Sequence, residues 1–530
     1  MTRLASVLAG LCVLAASVSH GQESEAPEPI QSLREGRIET AAGPRDVQRG
    51  VLSAPRFHDE PGRGRFEIPF LRFKSDVDAP GPPTFLLAGG PGSTYRDDLE
   101  DDDFQRWLDG FLAFGDVVLL EQRGSRTTPG ALDCVVSADI DPATPITPAY
   151  YKTLLADSLS ECADRYRREG VPLEAFTIVE MARDFHLLRN ALGYDRMNLM
   201  GGSFGSQLGL TILRLDEDSV HRAIFYGVEG PGNTIDEPEM VDRHIDRVGE
   251  AVDENWQFRL VAGRFRPALA RLIERLESEP IRGTMSTDNG EKAVTVGAFD
   301  LKLMLWSREG MKGYRENIAR VAQLLAVTRL GQHGYLLDAK AELVEALSGE
   351  SGLELNLMTF LVDCSSLSRS AHEFPDRDPA HLFGPEIVDS ELRAVCAALD
   401  LPVIASDMRS TVQADTPVLL ISGGLDGFTP PDYARAALNG LPNARLLDVP
   451  AGDHDGWAAL ERDPAHVQAA LDFLAGREPA DRLPARIDLP PLRVRLIPDW
   501  TIFVGFAVVV GLVGLGWRRS RRRKRAGDGG

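Results

Sequence analysis

Met197-Asn198-Leu199-Met200-Gly201-Gly202-Ser203-Phe204-Gly205-Ser206-Gln207-Leu208 is the stretch on which the reading of this chain turns. The run MNLM reads as a short buried strand, and SQLGLTILRL as a helix. Between them lies G-x-S-x-G, with Ser203 at the tip of the turn. So sharp a strand-to-helix turn needs small residues at 201 and 205, where neighbouring chains approach. The helix N-terminus behind Ser203 favours negative charge developing there. A serine in this frame is a candidate nucleophile, but a weak one until a base takes its proton.

Further apolar runs bounded by Gly and Pro flank the elbow. Thr84 to Ala88 ends in Gly-Gly-Pro-Gly, and Asp116 to Glu121 ends in Gln-Arg-Gly. Ala223 to Tyr226, Pro417 to Ile421 and Ala444 to Val449 complete the set. Such runs are those of buried parallel strands. A capping box, Thr177 to Glu180, opens a helix to about Leu192, and Gly193 ends it. Strand and helix alternate, which predicts a mostly parallel sheet with helices on both faces. Sites in such sheets are built at strand ends. Two loops fit there, each just past a strand: Gly423-Gly424-Leu425-Asp426-Gly427 and Gly452-Asp453-His454-Asp455-Gly456. The order Ser203, Asp426, His454 gives a nucleophile, an orienting acid and a general base. Asp453 and Asp455 stand too close along the chain to His454 to orient it from the opposite side. His186 and His221 fall in helical or strand-edge context and read as structural. The Phe204 N–H and a donor from Ala88-Gly89-Gly90-Pro91-Gly92, with Gly90 favoured, are the candidate oxyanion hole.

The chain has 530 residues, more than one compact core takes. The expected division is a signal peptide (1–21), a loose leader (22–50), a core in two parts (51–232 and 406–475), a helical cap between them (233–405) and a linker (476–498). A transmembrane helix (499–517) and a basic cytoplasmic tail (518–530) follow. The signal peptide rests on Arg3, the apolar run Leu4 to Val18 and the small residues near 19–21. The span rests on the uncharged run Trp500 to Trp517, followed at once by Arg518, Arg519, Arg521, Arg522, Arg523, Lys524 and Arg525. By the positive-inside rule the tail stays in the cytoplasm and the body lies on the extracytoplasmic side, at an inner membrane or cell surface. A net charge of -21 argues against a nucleic-acid partner. With Cys12 in the signal peptide, Cys134, Cys162, Cys364 and Cys396 remain. Their spacing is not that of a zinc site. Export favours disulfides, and proximity favours Cys134–Cys162 and Cys364–Cys396 among the three pairings.

These residues together resemble the proline iminopeptidase and secreted tripeptidyl aminopeptidase branch of the α/β hydrolases. The branch has a His-Gly-Gly-Pro-Gly loop, here with Ala88 first, and an Asp-Gln-Arg-Gly segment, here Glu121-Gln122-Arg123-Gly124. Its Gly-Gly-Ser-Tyr-Gly elbow is here Gly201-Gly202-Ser203-Phe204-Gly205. The segment from Thr416 to His454, with Asp426 and Thr429-Pro430, also looks like the secreted members. The resemblance implies the α/β-hydrolase fold and release of residues from peptide N-termini without metal or cofactor. It also implies an acid for the substrate's α-amine, for which Glu229 is the candidate. An esterase or other acyl hydrolase on the same triad is the alternative, since fold does not fix substrate. A non-catalytic binding protein on this scaffold is the third reading. The substrate is then a peptide or small acyl compound.

Overall fold

The computed structural model describes residues 28–494, apart from 97–98, 100–101, 234–237, 288–289, 349–352, 367–380, 385–386, 388–391 and 478–482. The signal peptide, transmembrane helix and basic tail expected from the sequence lie outside the described residues. Among the described residues, no helix is long and apolar enough to cross a membrane.

The strands in chain order are β1 (Ile30–Ile38), β2 (Arg45–Pro55), β3 (Arg65–Phe73), β4 (Thr84–Leu87), β5 (Val117–Leu120), β6 (Asp133–Val136), β7 (Met197–Ser203), β8 (Val220–Val228), β9 (Ile281–Thr287), β10 (Gly290–Val296), β11 (Leu353–Asn356), β12 (Val418–Gly423) and β13 (Ala444–Val449). Nine form one sheet, in the order β1-β2-β3-β5-β4-β7-β8-β12-β13. From β5 to β13 every neighbouring pair is parallel, and β1, β2 and β3 join antiparallel at one edge. The six parallel strands contain the apolar runs of the sequence; β4, β5, β7 and β12 are buried on both faces and so carry no alternation, whereas β8 and the edge strand β13 are partly exposed.

Helices cover both faces. The helices are α1 (Asp102–Leu112), α2 (Pro148–Arg168), α3 (Ile178–Ala191), α4 (Phe204–Leu215), α5 (Pro238–Asp253), α6 (Trp256–Ala262), α7 (Phe265–Ser278), α8 (Ala298–Leu305), α9 (Arg315–Arg329), α10 (Gly334–Ser348), α11 (Leu357–Ser366), α12 (Ala394–Leu399), α13 (Pro431–Ala437), α14 (Ala458–Glu461) and α15 (Pro464–Leu474). On one face α2, α3 and α4 pack with Phe85, Leu199 and Phe225. On the other, α1 and α15 pack with Leu119, Ile224 and Trp457. Thr177 caps α3 by accepting from the Glu180 N–H, one half of the box read from the sequence, while the Glu180 carboxylate accepts instead from the His58 N–H (2.9 Å).

Three expectations need correction. Residues 22–50 are not all a loose leader, because Ile30–Ile38 pairs along β2 as a hairpin. Charged residues on the exposed positions of β1 hide that strand from a hydrophobicity reading. The stretch 233–405 is not all helical cap. α5 to α10 and the hairpin β9–β10 share their own hydrophobic cluster. By contrast, β11 pairs with β6, and α11 and α12 pack into the cluster of the sheet domain through Leu361, Val362 and Val395. The Cys364–Cys396 disulfide joins α11 to α12, and Cys134–Cys162 joins β6 to α2, both as the sequence favours. Finally, 476–498 is not a free linker throughout. Ile487 N donates to Asp448 O (2.9 Å) and Asp448 N to Ala485 O (3.0 Å), so the chain continues the sheet beside β13. Beyond it, Leu492 and Val494 are buried with the α5–α10 cluster. The many prolines there conceal the buried side chains Leu483, Ile487, Leu492 and Val494.

Candidate active site

Ser203 ends β7 and precedes the first residue of α4, with φ 54° and ψ -131°. It is one of two non-glycine residues with positive φ among the described residues. A left-handed conformation at a serine is strained and persists only where the surroundings enforce it. They do so through close packing. A Cβ on Gly205 falls 2.2 Å from Leu87 O, and one on Gly201 falls 2.7 Å from Gly205 O. Ser206 holds the turn from inside, its hydroxyl donating to Ser203 O (2.6 Å).

Asp426 follows β12 and is fully buried. Its Oδ1 accepts from the Phe428 and Thr429 N–H groups (2.9 Å each), and its Oδ2 from the Thr429 hydroxyl (2.5 Å). His454, past β13, puts Nδ1 3.0 Å from both oxygens of the Asp426 carboxylate. Burial pushes the imidazole pKa down, but the charge and hydrogen bond of Asp426, with the charges of Asp455 and Asp453, outweigh it. The net shift is upward from the usual histidine value. The His454 ring lies against the end of β8: a Cβ on Gly227 would stand 3.2 Å from its Cε1. Ser203 pairs with Val228 on that same strand end. Ser203 and the Asp426–His454 pair, more than two hundred positions apart in sequence, thus converge on neighbouring parallel strand ends.

The Gly-Gly-Pro-Gly loop passes directly over the elbow. The Cβ position of Gly89 is 3.3 Å from Gly202 O and 3.7 Å from Ser203 Cβ. Gly90 turns with φ +26°, and Ser93 N closes the turn on its carbonyl (2.9 Å). Gln122 fixes the loop from both ends. It donates to Ala88 O (3.1 Å) and accepts from Gly92 N (2.7 Å) while fully buried. Phe204 N belongs to the first turn of α4, whose N–H groups have no helical acceptor. Glu229 stands one residue beyond Val228, half-buried, its N–H donating to Ser206 Oγ (2.8 Å).

Several residues of this site carry no distinct signal in the sequence. Thr429 is quoted above only for resemblance, yet its hydroxyl bonds Asp426 and lies 3.3 Å from His454 Nδ1. The turn before α9 fastens both loops: Lys312 O accepts from Gly427 N (2.9 Å) and Gly313 O from His454 N (3.2 Å). Asp453 accepts from Arg315 N (3.0 Å), so it holds the turn rather than His454, and burial raises its pKa. Arg123, of the Glu-Gln-Arg-Gly segment, is buried and bound to Asp184 and the Ala175 carbonyl (2.8 Å), which makes it a scaffold residue. His186 and His221 bond Ile212 O (3.3 Å) and Asn198 Oδ1 (3.1 Å), away from this site. Among the described residues, no group of three or more His, Cys, Asp or Glu is arranged to hold a metal ion.

A serine elbow at the end of a parallel strand, with acid and histidine loops after later strands, defines the chain as an α/β-hydrolase-fold hydrolase. Two family models agree: one described as alpha/beta hydrolase fold matches residues 83–279, and one described as TAP-like protein matches residues 380–483. The chain belongs to the α/β-hydrolase family, in the branch that carries the TAP-like segment. No curated protein matches it. Solved structures similar to it include a proline iminopeptidase of Mycobacterium smegmatis, at 14% identity over 81% of this chain and 98% of that one, with a TM-score of 0.35. A thermophilic esterase from Thermogutta terrifontis is 13% identical over 83% and 99%, with a TM-score of 0.31. A Bacillus megaterium epoxide hydrolase is 12% identical over 77% and 97%, with a TM-score of 0.32. At these identities and scores the likenesses decide nothing about substrate.

Proposed function

We propose that this chain is an exported, membrane-anchored serine hydrolase that releases residues from the N-terminus of peptides. The observation that carries the hydrolytic part is the Asp426–His454 pair (3.0 Å) at the strand ends beside a strained Ser203. In this reading His454 Nδ1–H faces Asp426, which leaves Nε2 free to take the Ser203 proton. Ser203 Oγ attacks the scissile carbonyl. The tetrahedral oxyanion is held by the Phe204 N–H and a Gly90 N–H. His454 then gives its proton to the leaving amine, and water repeats the sequence on the acyl-enzyme. Asp426 fixes the tautomer and stabilises the imidazolium.

The peptidase assignment is supported by the TAP-like segment and by Glu229, whose place beyond the strand end suits a substrate ammonium. Export is supported by the two disulfides, and anchoring by the Trp500 to Trp517 run with its basic block. An ester substrate would use the same triad. The test is a panel of free-amine aminoacyl and tripeptidyl amides, their N-acetylated versions and short acyl esters, given to the protein and to Ser203→Ala. Cleavage confined to free-amine amides and lost in the variant supports an aminopeptidase. Turnover of esters alone, regardless of a free amine, replaces it with an esterase.

A further inference from the structure

Helix α6 is short and carries an unusual face. Trp256 and Leu260, one turn apart, are 66% and 78% exposed, while Phe258 and Ala262 on the other side are buried. Arg259 and Arg264 are exposed beside them. An exposed leucine alone needs no explanation. An exposed Trp and Leu stacked at i and i+4, flanked by arginines, has the composition of a segment lying in a lipid headgroup region.

The course of the C-terminal segment gives this face a neighbour. After crossing from β13, the chain runs along the α5–α10 cluster, and Asn255 Nδ2 donates to Val494 O (3.3 Å). Asn255 is also the cap of α6, its side chain accepting from Phe258 N. The described chain therefore ends against the residue just before Trp256. Buried Leu492 and Val494 hold it there, and Arg493 between them is exposed. The apolar run begins at Trp500, six residues on. Six residues reach roughly 20 Å at full extension. The headgroup layer on each side of a bilayer is itself about 5–7 Å deep. If the run enters a membrane, α6 is held within a short tether of that membrane's surface. Arg259 and Arg264 flank the apolar pair and Arg493 lies on the chain that leads to the run, while the exposed acids Glu250 and Glu254 sit with Leu492, so the fit to a headgroup layer rests on Trp256, Leu260 and the arginines beside them rather than on net charge.

We propose that the Trp256–Leu260 face of α6 is a second membrane contact, resting in the headgroup region of the bilayer that the C-terminal run enters. The inference rests on the anchoring reading above. It gives the catalytic domain a fixed orientation, with the α5–α10 cap towards the lipid, rather than free rotation on a tether.

The test uses the full chain in vesicles of phosphatidylcholine and phosphatidylglycerol. Flotation is measured first, and failure of the wild-type chain to float with the vesicles removes the anchor reading and this inference with it. A nitroxide is then placed at Leu260→Cys, with Leu33→Cys as the control. Leu33 is exposed on β1, at the sheet edge opposite β13. Eight strand steps of about 4.8 Å put roughly 38 Å between those edges. The label at 260 is expected to be broadened by a nickel chelate on the lipid headgroup, and its relaxation by soluble nickel to be several-fold weaker than at 33. If a floating chain has a 260 label open to soluble nickel and untouched by headgroup nickel, the face is free in water and the proposal falls while anchoring stands. A label shielded from both reagents is covered by protein, such as the apolar run folded back or a second copy, and that also overturns it.

Discussion

Replacing Asp426 by Asn removes one charge from a fully buried carboxylate while keeping its shape. The Asn oxygen can take the Oδ1 place, where it still accepts from the Phe428 and Thr429 N–H groups at 2.9 Å. The new NH₂ then occupies the Oδ2 place, facing the Thr429 hydroxyl and His454 Nδ1. The hydroxyl can rotate to accept. Nδ1 can do so only by giving up its proton, which moves to Nε2, the nitrogen that must take the proton of Ser203. The base is then in the wrong tautomer, and loss of the carboxylate charge also lowers the imidazole pKa. A change of this kind costs about 10⁴ in kcat, or about 5.4 kcal/mol at 1.36 kcal/mol per decade. Stability should fall by no more than about 1–2 kcal/mol, because the Phe428 and Thr429 N–H groups keep their acceptor and only the Thr429 hydroxyl hydrogen loses its own. Asp426→Ala is the contrast. It strands the Thr429 N–H and hydroxyl and the Phe428 N–H, at about 1–3 kcal/mol for each buried group, and should lower Tm as well as activity. The assay is kcat on the best substrate of the panel, with thermal melts of all three proteins. An Asp426→Asn protein retaining more than a tenth of wild-type kcat, under conditions where Ser203→Ala is dead, would refute this reasoning.

Other consequences follow from the same geometry. Because the His454 pKa is raised and only the neutral imidazole can act as base, kcat/KM should rise with pH through an inflection above about 6.5. The stability contributed by protonated His454 runs the opposite way, present below the unfolded-state pKa and lost as pH rises through the folded one. Melts across that interval measure it. Gly205→Ala drives a Cβ to 2.2 Å from the Leu87 carbonyl, so it should cost at least about 1–3 kcal/mol and move Ser203, read by Tm and kcat together. Gln122→Ala frees the Gly-Gly-Pro-Gly loop at Ala88 O and Gly92 N; kcat should fall by about 10², the effect of losing an oxyanion donor, with KM little changed. Opening the Cys134–Cys162 link, which closes a separation of 28 residues, should cost about 3.6 kcal/mol on the chain-entropy estimate, seen as a lower Tm for a Cys134→Ser, Cys162→Ser protein.

The sequence reveals most where one physical demand is strong. Strands buried on both faces must be largely apolar, so β4, β5, β7 and β12 stand out as runs, while β8 and the edge strand β13 show through the shorter apolar stretches Ala223 to Tyr226 and Leu446 to Leu447. The elbow stands out because a Cβ at 201 or 205 has no room. Asp426 and His454 are legible from chain order and from lying just past two of those strands. β1 is not, because Gln31, Leu33, Glu35 and Arg37 form an exposed side and Arg34 on the other side is exposed as well. The helical bias of 233–405 is genuine, but it hides a change of partner. α11 and α12 are as helical as their predecessors, yet they pack against α2, and no local pattern encodes which surface a helix meets. The contacts of Lys312, Gly313 and Arg315 with the Asp426 and His454 loops are backbone bonds in large part, and almost any side chain permits those. Proline in 479–491 reads as linker because it cannot join a regular ladder, although two ladder bonds at Asp448 suffice to dock the segment.

The most direct test of the central claim is covalent labelling with a serine-directed fluorophosphonate, followed by peptide mapping. The account predicts stoichiometric label on Ser203, abolished in Ser203→Ala and slowed by orders of magnitude in His454→Ala, with the rate rising over the same pH interval as kcat/KM. A folded wild-type protein that takes no label, or takes it on another serine, would contradict the assignment of Ser203, Asp426 and His454 as one catalytic unit.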